Sequence, residues 1–347
     1  TCCGGGDVYV GGGYNGKLDF KNITSTQLMT ALGLSGVMIF PSQHLTFDGD
    51  FIIDNNLTIL NSPYISFGPG ASVIINNGQA LQVAGSHLYA CDNYLWKGIR
   101  VKGKFGILPS AKFGITNSEI NDAQYAINPE PKSIISVTNT AFRDNFVGVH
   151  FNGDIVKRPG NSLTLLNPFY GNTFWGTNGL KSSFAGMING YNQPSVAEMD
   201  NSLWPWAGLH LDNLNSFNLG FVKYGFHNYS NLFYGLANGV VARNCNLNVL
   251  NSYFFFIGEN NYSINKNGLD FQGNAILANS YSPGLYGAQH PATSLFVRGF
   301  GKYNYSDPTF NMCYKGIVSD YLTLDVQQCF FASSQPWGHT GVRVTHA

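Results

Sequence analysis

Charged side chains are scarce in this chain. Asp, Glu, Lys and Arg make up 11% of its 347 residues, against about 25% in an ordinary soluble domain. Water must therefore be met by Asn, Ser, Thr, Tyr and Gly, a surface common in exported proteins. The 19 basic and 19 acidic residues cancel, which removes the footprint that nucleic acid, anionic lipid or an acidic polymer would need. No apolar run reaches the roughly 18 residues that a membrane-crossing helix requires, so no membrane insertion is expected. Cysteine is thin as well. Cys2, Cys3, Cys91, Cys245, Cys313 and Cys329 are too sparse for a disulfide scaffold and show neither C-x-x-C nor Cys/His ligand spacing, so neither metal nor cofactor is expected. An oxidising compartment would permit a pair such as Cys313 with Cys329, although spacing alone assigns none. The opening CCGGGDVYVGGG lacks the Lys-Ser/Thr of a phosphate-binding loop and reads as a linker. With no basic region or apolar signal core there, an export signal is expected to have been removed or to lie outside this stretch.

What is abundant is apolar and repetitive. Hydrophobic residues make up 44% of the chain and aromatics 14%, far from the composition of a disordered polymer. NSEINDAQYAI (Asn117 to Ile127) and NTAFRDNFVGVHF (Asn139 to Phe151) share one frame, with Asn117 matching Asn139, Ile120 matching Phe142, and Ala126 matching Gly148. The frame returns at Phe233 and Gly239 in SNLFYGLANGVVA, and in looser form near Leu60 and Asn251. Within each repeat, runs such as SIISVTNT, LTIL and LTLDVQQCFF alternate with period two and are broken by Gly, Asn or Pro, which is the pattern of short strands. Strands recurring about every 22 residues with almost no helical signal between them stack coil upon coil. The expected fold is all-β: a single-stranded right-handed parallel β-helix, the hand following from the general rule for parallel connections. In it Phe142 lies over Ile120 and Asn139 over Asn117, with Asn ladders at the turns. Gly148 and Gly239 are expected to supply positive φ.

One segment departs from this pattern. In NITSTQLMTALGLSG, Thr24 and Gln27 have capping-box spacing, Leu28, Ala31 and Leu32 share a face, and Gly33 is a stop. A short helix is expected there, covering the open end of the first coil. The domain reading is residues 1–40 as Gly-rich segment and capping helix, and 41–347 as β-helix, with loops thrown out at 180–208 and 278–294.

At LWKGIRV (Leu95 to Val101), continued by the two phrases above, the chain resembles the β-helical region of large secreted proteins of Bacteroidota. The coils of those proteins read Cys-x-x-x-x-Trp-x-Gly-Ile, Asn-Ser-x-Ile-x-Asp-Ala-x-x-Ala-Ile and Asn-x-x-Phe-x-x-Asn-x-x-Gly-Val. The match falls on Cys91, Trp96, Gly98 and Ile99, then on Asn117, Asp122 and Ala126, then on Asn139, Phe142 and Asn145, and the likeness extends over Ile52 to Val344. Such regions resemble type IX secretion cargo, in which a signal peptide and a sorting domain flank the body. The resemblance implies an extracellular or cell-surface location and an excerpt from a longer chain.

Asp122 and Asp144 are the candidate catalytic pair, expected on neighbouring coils with Arg143 and Glu119 beside them, because glycoside hydrolysis needs two carboxylates roughly 5 to 9.5 Å apart. The plainer reading is that Asp and Asn at such places satisfy turn backbone groups. The Asn-Thr-Asp, Asp-Asp and Gly-His-Gly phrases of polygalacturonase-like enzymes are missing, and WGHTG (Trp337 to Gly341) is a lone fragment of them. No Asp-rich run suggests Ca²⁺. His150 falls in the repeat frame and reads as structural. Trp204 and Trp206 offer faces for sugar stacking, with clamping of their own loop as the plainer reading. The sequence thus points to an extracellular structural or adhesive module of a large surface protein, filament or appendage. Its expected partners are copies of itself, other parts of a parent chain, or cell-surface glycans. A secreted polysaccharide lyase or glycoside hydrolase, and a carbohydrate-binding module, are the alternatives.

Overall fold

The computed structural model describes residues 8–10, 22–39, 44–91, 93–104, 106–153, 169–177, 180–182, 205–214, 217–220, 230–243, 245–250, 252–257, 274–279, 294–298, 310–311, 313, 315–320, 323–329, 331–332 and 340–345. Every strand pairing among them is parallel, and each joins a strand to its counterpart one coil on. Two faces of the solenoid are sheets of 11 strands, and the third face consists of a 6-stranded and a 4-stranded sheet. The fold is the right-handed parallel β-helix with a short N-terminal helix.

Vertical registry builds the core. On the first face one inward column runs Leu45, Ile65, Leu88, Ile120, Phe142, Phe174, Phe233, Phe254 and Phe310, each in register with the next. Its phenylalanines stack nearly parallel at 4.7, 4.8, 4.8 and 5.2 Å between centroids from Phe142 to Phe310, close to the spacing of hydrogen-bonded strands, about 4.8 Å. On the second face Val73, Ile99, Ile127, Val149, Leu209, Val240, Ile276 and Ile317 form a matching aliphatic column. Each fully buried side chain of this kind contributes roughly 1.5–3 kcal/mol.

Coil length is less regular than the repeat suggests. Steps of 20 and 22 residues occur, but so do steps of 32 and 59, because excursions leave the stack between strands without disturbing the registry of the strands they join. Among the described residues the third face breaks between strands Phe169–Tyr170 and Phe217–Leu219. There the Gly220 N–H still donates to the Phe169 carbonyl at 3.1 Å.

The turn from third to first face carries a polar ladder, displaced by one residue from the expected asparagines. Asn61, Asn117 and Asn139 have φ of 47°, 47° and 49°, and Gly85 and Gly171 take the same left-handed turn. These residues bend the chain. The ladder is made by the next ones: Ser62, Ser86, Ser118, Thr140, Asn172 and Asn231. Ser62, Ser86, Ser118 and Thr140 each donate their hydroxyl to a carbonyl two residues back. The side-chain oxygens of Ser86 and Ser118 accept the N–H of Ser62 and Ser86 one coil earlier, and those of Asn172 and Asn231 accept from Thr140 and Asn172, at 3.1–3.2 Å. The turn's buried backbone groups are thereby satisfied.

Gly148 and Gly239 are not turn residues. Neither has positive φ, and both lie within strands of the second face. Space is the reason for the first: a Cβ on Gly148 would lie 2.6 Å from the Phe174 ring and 2.5 Å from the Gly208 carbonyl oxygen. Gly208 relates to Phe233 in the same way. The aromatic column therefore requires this glycine column beside it.

The helix Ser25–Leu32 has the expected reciprocal capping box of Thr24 and Gln27, and ends at Gly33 with φ 65°. Its buried face is Ser25, Leu28 and Met29, with Leu32 partly buried against the core; Ala31 is exposed. Its N-terminus is held by Asp54, which accepts from Ser25 Oγ at 2.8 Å and the Thr26 N–H at 2.9 Å. Burial works to raise the Asp54 carboxyl, but these bonds outweigh it and hold it below the ordinary carboxylate range. Among the described residues no helix is long and apolar enough to cross a membrane.

Candidate functional site

Two clusters hold the chemistry-bearing side chains. The first is the expected acid pair. Asp122 and Asp144 close the turn between first and second faces on successive coils, both with left-handed φ, 59° and 51°. They line a polar cleft of about 490 Å³ with Asn93, Asn121, Arg143, Leu180, Lys181 and Ser182. Burial pushes the Asp122 carboxyl above the ordinary carboxylate range, aided by the Asp144 charge and opposed by Lys181 and Arg143.

The cleft's groups are engaged with one another. Lys181 Nζ lies 2.9 Å from Asp122 Oδ2 and donates to the Ala90 carbonyl at 2.8 Å. Asp144 accepts the Thr177 N–H on Oδ1 and the Thr177 hydroxyl on Oδ2, both at 2.7 Å. The Arg143 guanidinium lies over the Trp175 ring at 4.9 Å, with its Nε 3.7 Å from Glu119. Asp144 thus ties its turn to the next coil, and the Lys181 strip docks on the cleft through Leu95 N–H to Ser182 O and Ser182 N–H to Asn93 O, both 2.9 Å.

The second cluster escaped the sequence reading. Strands of the second face bury five consecutive residues each at Val147–Phe151, Ala207–Leu211 and Asn238–Ala242, so this face is covered outside as well as inside. Its outer layer is a separate apolar cluster of Leu95, Tyr125, Phe146, Val147, Trp206, Ala207 and Val241. His150 and His210 sit beside it in direct register, 0% and 2% exposed, with ring centroids 4.7 Å apart. Asp212 Oδ2 lies 3.1 Å from His150 Nε2 and 3.3 Å from His210 Nε2. Burial pushes the His210 imidazole down to about 3, with Asp212 opposing and His150 and Arg243 adding. The Asp212 carboxyl is raised by burial, but the His150 hydrogen bond and the pull of His210, His150 and Arg243 prevail and hold it low. Aligning GVHFN (148–152) with GLHLD (208–212) would have put both histidines in one frame.

Other expected sites fall as follows. Trp206 is only 6% exposed, packed on Phe146 and edge-on to His210, so it presents no open face to a sugar. Trp204 lies outside the described residues, as do Cys2 and Cys3 and most of 180–208 and 278–294. Trp96 is buried, stacked on Phe67 at 4.1 Å, and donates its indole N–H to the Asn121 carbonyl. Gly98 sits at a register shift in its strand with φ 99°. Asn145 bridges coils, donating to the Ile120 carbonyl and accepting the Ala123 N–H, both at 2.8 Å. Cys91 is disulfide-bonded, with its other half outside the described residues. Cys313 and Cys329 do not pair: neither is in a disulfide, nor is Cys245.

No family model matches this chain, and no curated protein does. Among solved structures it is similar to the periplasmic alginate epimerase AlgG, 12% identical over 93% of this chain and 83% of that one, with a TM-score of 0.33. A mutant of the same enzyme aligns at 11% identity over 93% and 82%, with a TM-score of 0.29.

Proposed function

We propose that this chain is an extracellular structural module, a rigid β-helical segment of a large secreted surface protein, filament or appendage. The observation that carries this reading is that the cleft acids are engaged within the fold: Asp144 ties its turn to the next coil through both oxygens to Thr177, and Asp122 pairs with Lys181 of the strip docked on the cleft. An acid–base pair needs its carboxylates available to substrate. The unbroken columns and the polar ladder support a role in which stiffness is the function. The Cys91 disulfide supports an oxidising location. The sequence resemblance to β-helical regions of type IX secretion cargo of Bacteroidota supports export to the cell surface. The partners in this reading are further parts of the same parent chain or further copies of it, which the near-absence of net charge allows to lie side by side.

Two measurements test the proposal. Antibody labelling of intact cells of the source organism should find the module outside the cell. Incubation of the purified chain with uronate-containing and neutral polysaccharides should release no reducing ends and no unsaturated uronates. Polysaccharide breakdown abolished by Asp122→Asn or Asp144→Asn would overturn the structural reading in favour of the degradative one. Light scattering at rising concentration tests self-association, and a strictly monomeric chain removes that part.

A further inference from the structure

We propose that His150, His210 and Asp212 form a binding site for a first-row divalent transition metal ion, zinc by preference. The sequence argued against metal because its cysteines have no ligand spacing; this site uses none of them. Its three donors come from two adjacent coils, and their ligand atoms all lie within 4.8 Å of one another.

The geometry fits an ion better than it fits hydrogen bonds alone. A tetrahedral zinc with legs of about 2.0–2.1 Å holds its ligand atoms roughly 3.3–3.4 Å apart. The two imidazole-to-carboxylate separations are 3.1 and 3.3 Å. His210 Nε2 approaches Asp212 Oδ2 without making a hydrogen bond and is a buried nitrogen that lacks a hydrogen-bond partner. Such an orphan is unfavourable, and a lone pair directed at a cation removes the cost. The outer atoms support the same arrangement. His150 Nδ1 lies 3.3 Å from Asn128 Oδ1; with Nδ1–H donating there, Nε2 carries the lone pair that a metal takes, which is the usual support of a metal-binding histidine. Arg243, in register with Asp212 on the next coil, is a cation whose charge acts on both His210 and Asp212, and the Asp212 carboxylate offsets it. Asp212 is also the access point, its side chain 18% exposed while both histidines are sealed.

Bound there, the ion ties the coil before the long excursion to the coil after it, since His150 and Asp212 are 62 residues apart in sequence. Closing so large a loop costs entropy that a cross-link between its ends offsets.

The experiment uses the full chain, stripped with chelator and titrated with zinc chloride and cobalt chloride. Trp206, 5.2 Å from His210, is a built-in reporter whose fluorescence Co²⁺ should quench. One equivalent of either ion should bind, raise the melting temperature and, for Co²⁺, give visible absorption without the near-ultraviolet band of a cobalt thiolate. Asp212→Asn and His210→Gln should each weaken binding about 10-fold or more, with folding followed by circular dichroism. If a variant fails to fold, the wild-type cobalt spectrum alone decides. Absence of stoichiometric binding to the wild type, a thiolate band, or equal affinity in folded variants would overturn the site and leave a proton-shared His150–Asp212 pair.

Discussion

Replacing Gly208 with Ala tests whether the glycine column exists to make room for the phenylalanine column. The new methyl group would lie 2.6 and 2.7 Å from two carbons of the Phe233 ring and 2.9 Å from the Gly239 carbonyl oxygen. Ordinary carbon contacts lie at about 3.5–4.0 Å, so the ring must yield by most of an ångström. It cannot slide along the axis, because Phe174 and Phe254 hold it at 4.8 Å on either side. Overpacking of this kind costs typically 1–3 kcal/mol, and the upper half of that range is expected here. Phe233→Leu alone should cost roughly 2–3 kcal/mol, from lost buried volume and two stacked pairs at about 0.5–1.5 kcal/mol each. In the double variant the smaller side chain vacates the space the methyl needs, so the two costs should fall short of their sum by about 1 kcal/mol or more. Urea unfolding followed by circular dichroism and tryptophan fluorescence measures all three. Additivity within about 0.5 kcal/mol, or a Gly208→Ala chain as stable as the parent, would refute the argument.

Three further outcomes follow from the same structure. Ser118→Ala removes both the acceptor of the Ser86 N–H and the donor to the Thr116 carbonyl; buried groups left unpaired cost about 1–3 kcal/mol, and hydrogen exchange at Ser86 should accelerate. Thr24→Ala breaks the capping box and should destabilise by about 1 kcal/mol, read as faster exchange in the helix with the distant coils unchanged. Cys245 has its thiol pushed up to about 12 by burial, so the fold holds a proton that the unfolded chain releases near 9. Its contribution is complete below 9 and is lost as pH rises from 9 towards 12. Cys245→Ser should flatten that alkaline decline in melting temperature, and native Cys245 should resist alkylation at pH 8 while partly exposed Cys329 reacts.

The fold was legible where a residue's letter and its spacing carry the same message. Ile120 and Phe142 occupy equivalent places because apolar columns need repeated large side chains, and the helix was marked by Thr24, Gln27 and Gly33, whose roles are local. Gly148 was misread because a glycine required for space looks the same in sequence as one required for positive φ. The polar ladder was misplaced by one residue because the conspicuous letter, Asn117 or Asn139, makes the bend, while the inconspicuous Ser118 or Thr140 makes the bonds. Asp122 and Asp144 were brought together as expected, yet their committed partners, Lys181 and Thr177, come from chain segments whose return path no local pattern encodes. The same holds for His150 and His210: their register depends on where an excursion rejoins the stack, and only the match between Gly148-x-His150 and Gly208-x-His210 hints at it.

The break in the third face bears on how force would pass along the molecule. Among the described residues, two sides of the prism transmit a pull through continuous rows of backbone bonds, whereas on the remaining side the ladder between Phe169–Tyr170 and Phe217–Leu219 is broken and bridged by the Gly220 N–H to Phe169 carbonyl bond. A load applied along the axis is therefore shared unevenly at that level, and the prism should crease towards its intact sides there before it parts elsewhere. Among the described residues the rod would thus carry a predetermined fold line at the level where His150 and His210 face each other across neighbouring coils.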